Sequence, residues 1–181
     1  ADSIWPTSWR GMILYIQWRA SLSRSMSFLS RVINSSSWEW VPQRVLQLNV
    51  PGSDSDGVYT AVEMLRQVGL GEKVRVGKKV AIIGGGNVAM DAARVSRRLG
   101  AEVHVLCLES EGQLPADIEE IHEAIEEGIS FHYAQSVQKI KNKNGKVSGL
   151  VTANVTSLFD TEGRFAPQCG DKVFHWDGFD V

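Results

Sequence analysis

The sequence predicts an α/β fold: a parallel sheet with flanking helices, followed by an antiparallel β-meander. Three observations predict it. Residues 80–83 are a short apolar run bounded by Lys78-Lys79 and by three glycines, which suits a parallel strand covered on both faces. A helical stretch and a second apolar run follow within 25 residues of Gly84, giving a β-α-β order. After Gly128 the pattern changes to short alternating runs around Asn144-Gly145, a dipeptide that favours a tight hairpin turn.

The chain has a compositional seam near residue 46. Residues 1–46 hold five of the six Trp, ten Ser and five Arg, but no Lys. They show no sustained period of 2 or 3.6. An Arg- and Ser-rich, acid-poor start resembles an organelle transit peptide, and it also fits a non-native segment. Residues 1–46 are expected to be atypical, non-native or disordered, and residues 47–181 to form one nucleotide-binding domain truncated at its C-terminus.

From residue 47 the order improves. Leu48-Asn49-Val50-Pro51-Gly52 reads as a strand end and a turn. Residues 59–68 have helical spacing, with Val62, Leu65 and Val68 on one face. Residues 80–83 are the glycine-flanked strand. The next helix runs from about Asn87 to Leu99 and stops at Gly100, a common C-terminal cap. Residues 102–108 form a second strand, ended by Glu109. Residues 115–127 form a second strong helix, with Pro115 in its first turn and Ile118, Ile121 and Ile125 as an apolar stripe. Its acids (Glu119, Glu120, Glu123, Glu126 and Glu127) read as a solvated face rather than a catalytic cluster, with His122 on the same surface. Strands are expected at 129–133, 137–141 and 146–158, with Thr161-Glu162-Gly163 as a turn and residues 173–176 as one more short strand.

The chemistry-bearing motif lies between the first strand and its helix. Its spacing is G-x-G-x-x-A at Gly84, Gly86 and Ala89. The first glycine permits the tight turn, the second lets a phosphate approach the backbone, and the small third residue lets the helix pack closely on the strand. The helix start then offers free N–H groups and the positive end of its dipole. The expected fold is therefore Rossmann-like, and the candidate cofactor-binding residues are Gly84, Gly85, Gly86, Asn87, Val88 and Ala89. Glu109 joins them, because an acid at the end of the second strand can accept hydrogen bonds from adenosine ribose hydroxyls. Its charge repels a 2′-phosphate, so NAD(H) is favoured over NADP(H). An S-adenosylmethionine site, which also pairs a glycine turn with a distal acid, stays open at this point.

Composition narrows the classes. A net charge of −2 gives no electrostatic case for nucleic acid. The apolar run at 12–18 is far shorter than the roughly 18–20 residues a membrane span needs. Cys107 and Cys169 form no C-x-x-C pair, so neither a redox dithiol nor a zinc ribbon is expected, and a reducing, cytoplasmic location is. His104, His132 and His175 all fall in predicted strands without metal-ligand spacing, and structural histidines are expected at each. No metal site and no catalytic side chain are expected.

Residues 47 to about 168 resemble the NAD(P)H-binding domain of glutamate synthase small-subunit-like flavoproteins, within the pyridine nucleotide-disulphide oxidoreductases. The resemblance is carried by Leu48-Asn49-Val50-Pro51-Gly52 and by Gly77-Lys78-Lys79-Val80. Its centre is Gly84-Gly85-Gly86-Asn87-Val88-Ala89-Met90-Asp91-Ala92-Ala93-Arg94, and Leu114-Pro115-Ala116 and Glu126-Glu127-Gly128-Ile129 extend it. It implies a domain that docks NAD(P)H against an FAD held by a separate flavin domain. Hydride would pass to the flavin and electrons onward to an iron–sulfur or synthase partner subunit. It implies that Gly84, Gly86, Asn87 and Ala89 hold the pyrophosphate and that Glu109 selects the ribose. NADPH-dependent members tend to carry arginines where this chain has Leu108 and Glu109. The FAD belongs to the parent protein, since no second glycine fingerprint is present here. The chain is thus expected to be a fragment that binds a dinucleotide without turning over alone; the alternative is a stand-alone NAD(H)-sensing module.

Overall fold

A computed structural model describes residues 11–15 and 48–179. The elements are β1 (Gly11–Tyr15), β2 (Val58–Thr60), α1 (Ala61–Gly69), β3 (Lys79–Ile83), α2 (Asn87–Arg98), β4 (Glu102–Leu106), α3 (Ile118–Glu126), β5 (Ser130–His132), β6 (Gln135–Lys143), β7 (Lys146–Phe159) and β8 (Phe165–Asp177). The first five strands form one parallel sheet in the order β2-β1-β3-β4-β5, and the last three form an antiparallel sheet in the order β6-β7-β8. The α/β class with an added meander is as the sequence predicts. Of residues 1–46 only Gly11–Tyr15 are described: they form β1, hydrogen-bonded between β2 and β3. The rest of that segment lies outside the described residues.

The two-residue period of β3 sorts its side chains between two cores. Val80 and Ile82 face the helices, packing with Ala89, Met90, Ala93, Val103 and Val105. Ala81 and Ile83 face the meander, with Leu106, Val137, Ile140, Leu150 and Phe179. The molecule is therefore three layers: helices, parallel sheet, antiparallel sheet. That arrangement covers the parallel sheet on both faces, as its uninterrupted apolar run requires.

Several boundaries differ from the expectation, each for a local reason. Helix α1 starts at Ala61 because the Thr60 hydroxyl accepts from Glu63 N–H at 3.3 Å and caps it. Its buried face is Ala61, Met64 and Leu65; Val62 is only half-buried. Helix α2 ends at Arg98, and Gly100, with φ of +96°, donates to Arg97 O at 2.9 Å. Helix α3 starts at Ile118, not at Pro115. Strand β8 runs for 13 residues rather than four. The turn before it is tied by Asp160, whose carboxylate accepts from Glu162 N–H and Arg164 N–H at 2.9 Å each.

The apolar stripe of α3 is corrected by the structure. Ile118 and Ile125 are exposed, at 68% and 49%, while Ala124 is fully buried and Ile121 packs on the core. The acids are also not simply solvated. Arg94 of α2 bonds Glu120, Glu123 and Glu127 at 2.8, 2.6 and 2.9 Å, and Arg98 reaches Glu127 at 2.7 Å. Helix α3 is thus turned so that its charged edge, not its full isoleucine stripe, meets α2. His122 is exposed, as expected.

Among the described residues no helix is long and apolar enough to cross a membrane.

Candidate functional site

The glycine turn joins β3 to α2. Gly84 has φ of +134°, a conformation that disfavours any side chain. Its N–H donates to Leu106 O at 2.9 Å, which pins the turn to the end of β4. Gly86 is the N-cap of α2, with φ −92° and ψ 175°. No side chain caps this helix, and no acid stands in its first turn. The first N–H groups of a helix have no intrahelical acceptor, so Asn87 and Val88 leave theirs for an outside partner. A methyl group on Gly86 would find nothing within 4 Å. Ala89 and Met90 are fully buried behind the turn, and Val88 packs its side chain on the same core. Both Ala89 N–H and Met90 N–H turn back to Gly86 O, at 2.9 and 3.1 Å.

The side chain of Asn87 is engaged with the start of α3. Its amide Nδ2 donates to Asp117 Oδ2 at 2.9 Å, and its Oδ1 accepts from Asp117 N–H at 2.7 Å. Its side chain thus braces α3, leaving only its backbone N–H at the turn. The same contacts explain the late start of α3. Ala116 N–H donates to Gly85 O at 3.2 Å, and Asp117 N–H is held by Asn87. These groups serve the glycine turn, so the chain bends at 115–116 and the helix begins only after the N-cap Asp117.

Glu109 lies beyond β4, which ends at Leu106. Its half-buried carboxylate comes back to the glycine turn: Oε2 lies 3.0 Å from where a Gly85 Cβ would stand. Its backbone is fixed, since Glu109 O accepts from Ala134 N–H at 2.8 Å. Cys107, two residues earlier, is buried, and burial first, then the Glu109 charge, pushes its thiol up to about 12. It is an inert packing residue at neutral pH. The structure therefore brings Gly84, Gly85, Gly86, Asn87, Val88, Ala89 and Glu109 to one corner of the molecule. Leu114 and Ala116, from the segment 114–116, belong to that corner as well. No sequence period shows this, although the segment's place in the family string is a signal.

His104 and His132 form a second cluster on the other side of the sheet, while His175, like His122, is exposed. His104 Nδ1 and His132 Nε2 are 3.0 Å apart, and His104 Nε2 is 2.9 Å from Glu102 Oε1. His132 stands edge-on to Trp176 at 4.4 Å between ring centres. Burial, then His104 and Lys79, hold His132 below its ordinary pKa. Among the described residues no group of three or more metal-ligating side chains is assembled.

FprA of Mycobacterium tuberculosis, solved in complex with NADPH, superposes with a TM-score of 0.58 at 18% identity, covering 72% of this chain and 45% of that one. That likeness is one of fold. The family model described as "Pyridine nucleotide-disulphide oxidoreductase" matches residues 42–165. The chain belongs to this family. Among its relatives, the glutamate synthase [NADPH] small chain of Escherichia coli is 39% identical over 111 residues, covering 54% of this chain and 23% of the relative. The NADP(+)-dependent formate dehydrogenase subunit beta of Moorella thermoacetica is 35% identical over 108 residues, 58% of this chain and 15% of the relative. The chain thus spans less than a quarter of the length of these curated relatives. Their similarity agrees with the resemblance to glutamate synthase small-subunit-like proteins.

Proposed function

We propose that the glycine turn docks NAD(P)H, with NADH preferred, as the dinucleotide-binding part of a flavin-dependent oxidoreductase. The observation that carries this reading is the uncapped start of α2, with open space over Gly86 and the Glu109 carboxylate at the same turn. The backbone N–H groups of Asn87 and Val88 would receive a pyrophosphate oxygen. Hydrogen bonds of that kind to a charged group contribute about 1.5–3 kcal/mol each, and the helix dipole adds to them. Gly84 and Gly86 keep side chains out of the phosphate's path, and Ala89 holds the helix close to β3.

Glu109 would accept hydrogen bonds from the ribose hydroxyls. Relatives named for NADPH or NADP(+) raise the opposite preference, and in this chain Glu109 argues for NADH because a carboxylate repels a 2′-phosphate. When bound, the dinucleotide supplies a hydride for a flavin carried outside these residues, and electrons pass on to a partner subunit. The chain's own contribution is position and electrostatics.

Titration of this chain with NADH and NADPH tests the cofactor reading: equal or tighter NADPH binding removes the role given to Glu109. A flavin spectrum on the full-length gene product tests the rest. Bound FAD bleached by NADH supports the oxidoreductase, while no flavin uptake under any condition leaves an NAD(H)-sensing module.

A further inference from the structure

The fingerprint gives roles to Gly84, Gly86 and Ala89 but none to Gly85, the position between the two glycines. Gly85 is buried, and two stretches of the chain, 107–109 and 114–116, converge on it. A methyl group on its Cα would lie 3.0 Å from Glu109 Oε2, 3.3 Å from Cys107 Cβ and 3.4 Å from Leu114 Cγ. Its carbonyl accepts from Ala116 N–H at 3.2 Å. Gly85 is not among the glycines with positive φ, so its backbone could carry a side chain. What the site needs at this position is space.

The contacts differ in how they can yield. Cys107 is buried directly after β4 and is held by a hydrogen bond from its N–H to His132 O at 3.1 Å. Leu114 is packed against the helix-side core. The Glu109 carboxylate is the free end of a flexible side chain and is the group a Cβ would displace. We propose that Gly85 is a specificity-determining position. The space left by its missing side chain is a seat that fixes the Glu109 carboxylate beside the glycine turn, and this position sets which ribose the site accepts. The inference rests on the ribose-facing role given to Glu109 above. A carboxylate pushed off the seat keeps its charge but loses the placement that a pair of ribose hydroxyls requires. Its repulsion of a 2′-phosphate then changes with distance.

Dissociation constants for NADH and NADPH are measured on the intact chain for the unmodified protein, Gly85→Ala, Glu109→Gln and the double variant, with thermal unfolding of each. The unmodified chain is expected to prefer NADH and Glu109→Gln to lose the preference. Gly85→Ala is expected to lower the NADPH-to-NADH ratio of dissociation constants roughly tenfold. The double variant is expected to match Glu109→Gln, because the alanine acts only through the carboxylate. If Gly85→Ala weakens both nucleotides equally with the ratio intact, the seat is overturned and the reading of Glu109 stands. If the unmodified chain shows no preference for NADH, the Glu109 reading fails and takes the seat with it. Should Gly85→Ala not fold, Glu109→Asp decides: it withdraws the carboxylate by one methylene without touching the glycine. A lowered ratio supports the seat, and an unchanged ratio overturns it.

Discussion

Asn87 and Asp117, 30 positions apart, hold each other by two hydrogen bonds: Nδ2 to Oδ2 at 2.9 Å, and Asp117 N–H to Oδ1 at 2.7 Å. The first residue of α2 is thereby tied to the N-cap of α3. With Ala116 N–H on Gly85 O, this pair makes the start of α3 part of the glycine turn's support. Asn87→Ala is expected to cost about 1 kcal/mol or slightly more, read by urea unfolding. Asp117→Ala, which keeps the backbone bond, is expected to cost less. Equal losses would show that the backbone bond adds nothing.

Gly86→Val separates binding from folding. The space over Gly86 is open and its φ of −92° suits any residue. The variant is expected to lose at most about 1 kcal/mol of stability, the difference between glycine and a poor N-cap residue. Its side chain occupies the approach to the α2 start, so NADH binding is expected to disappear. Unchanged affinity would place the site elsewhere.

Acid should weaken the helix layer through the Arg94 cluster. Burial opposes ionisation of Glu127, but hydrogen bonds from Arg98 and Arg94 outweigh it and hold the carboxyl below its ordinary 4.5. A depressed carboxyl stabilises the fold above its unfolded pKa, and that contribution is lost as pH falls through the folded value. Unfolding temperature is therefore expected to drop below about pH 4.5. Arg94→Leu is expected to flatten that drop and to cost roughly 1–2 kcal/mol at neutral pH, since the arginine is largely buried and leaves three acids together.

His132 gives a separate pH dependence. Its folded pKa lies below the ordinary 6.5, so below that pH the unfolded chain binds a proton that the folded chain does not. Stability is thus expected to fall as pH decreases from about 6.5 toward the folded pKa, and to be level above it. His132→Phe, which keeps a ring against Trp176, is expected to remove this slope. A His132 imidazole seen by NMR to titrate at or above its free value would contradict it.

The part of the fold built from local signals was legible. Residues 80–83, the glycines and the cap at Gly100 each carry their own chemistry, and so does Asn144-Gly145. Both residues of that hairpin turn have positive φ, 55° and 79°. What escaped depends on distant partners. Pro115 looks like a helix start until the N–H groups after it are drawn to Gly85 and Asn87. Ile118 and Ile125 look buried until Arg94 turns α3 by its acids. At the candidate site, the glycines and Glu109 were readable from spacing. The side-chain role of Asn87 was not, because its partner lies in another helix.

The position of β1 in the sheet has a kinetic consequence. Strands β3, β4 and β5 follow one another in sequence and in space, so their pairing closes only short loops. Strand β1 instead pairs residue 11 with residue 79 on one side and residue 13 with residue 58 on the other. It can join only after a long stretch of chain has been brought together, and such non-local pairings slow folding. Until it does, β2 and β3 share no neighbour, and the edge of β3 beside the glycine turn is left open to pairing with another chain. Strand β1 is the one whose arrival commits the molecule to its final topology.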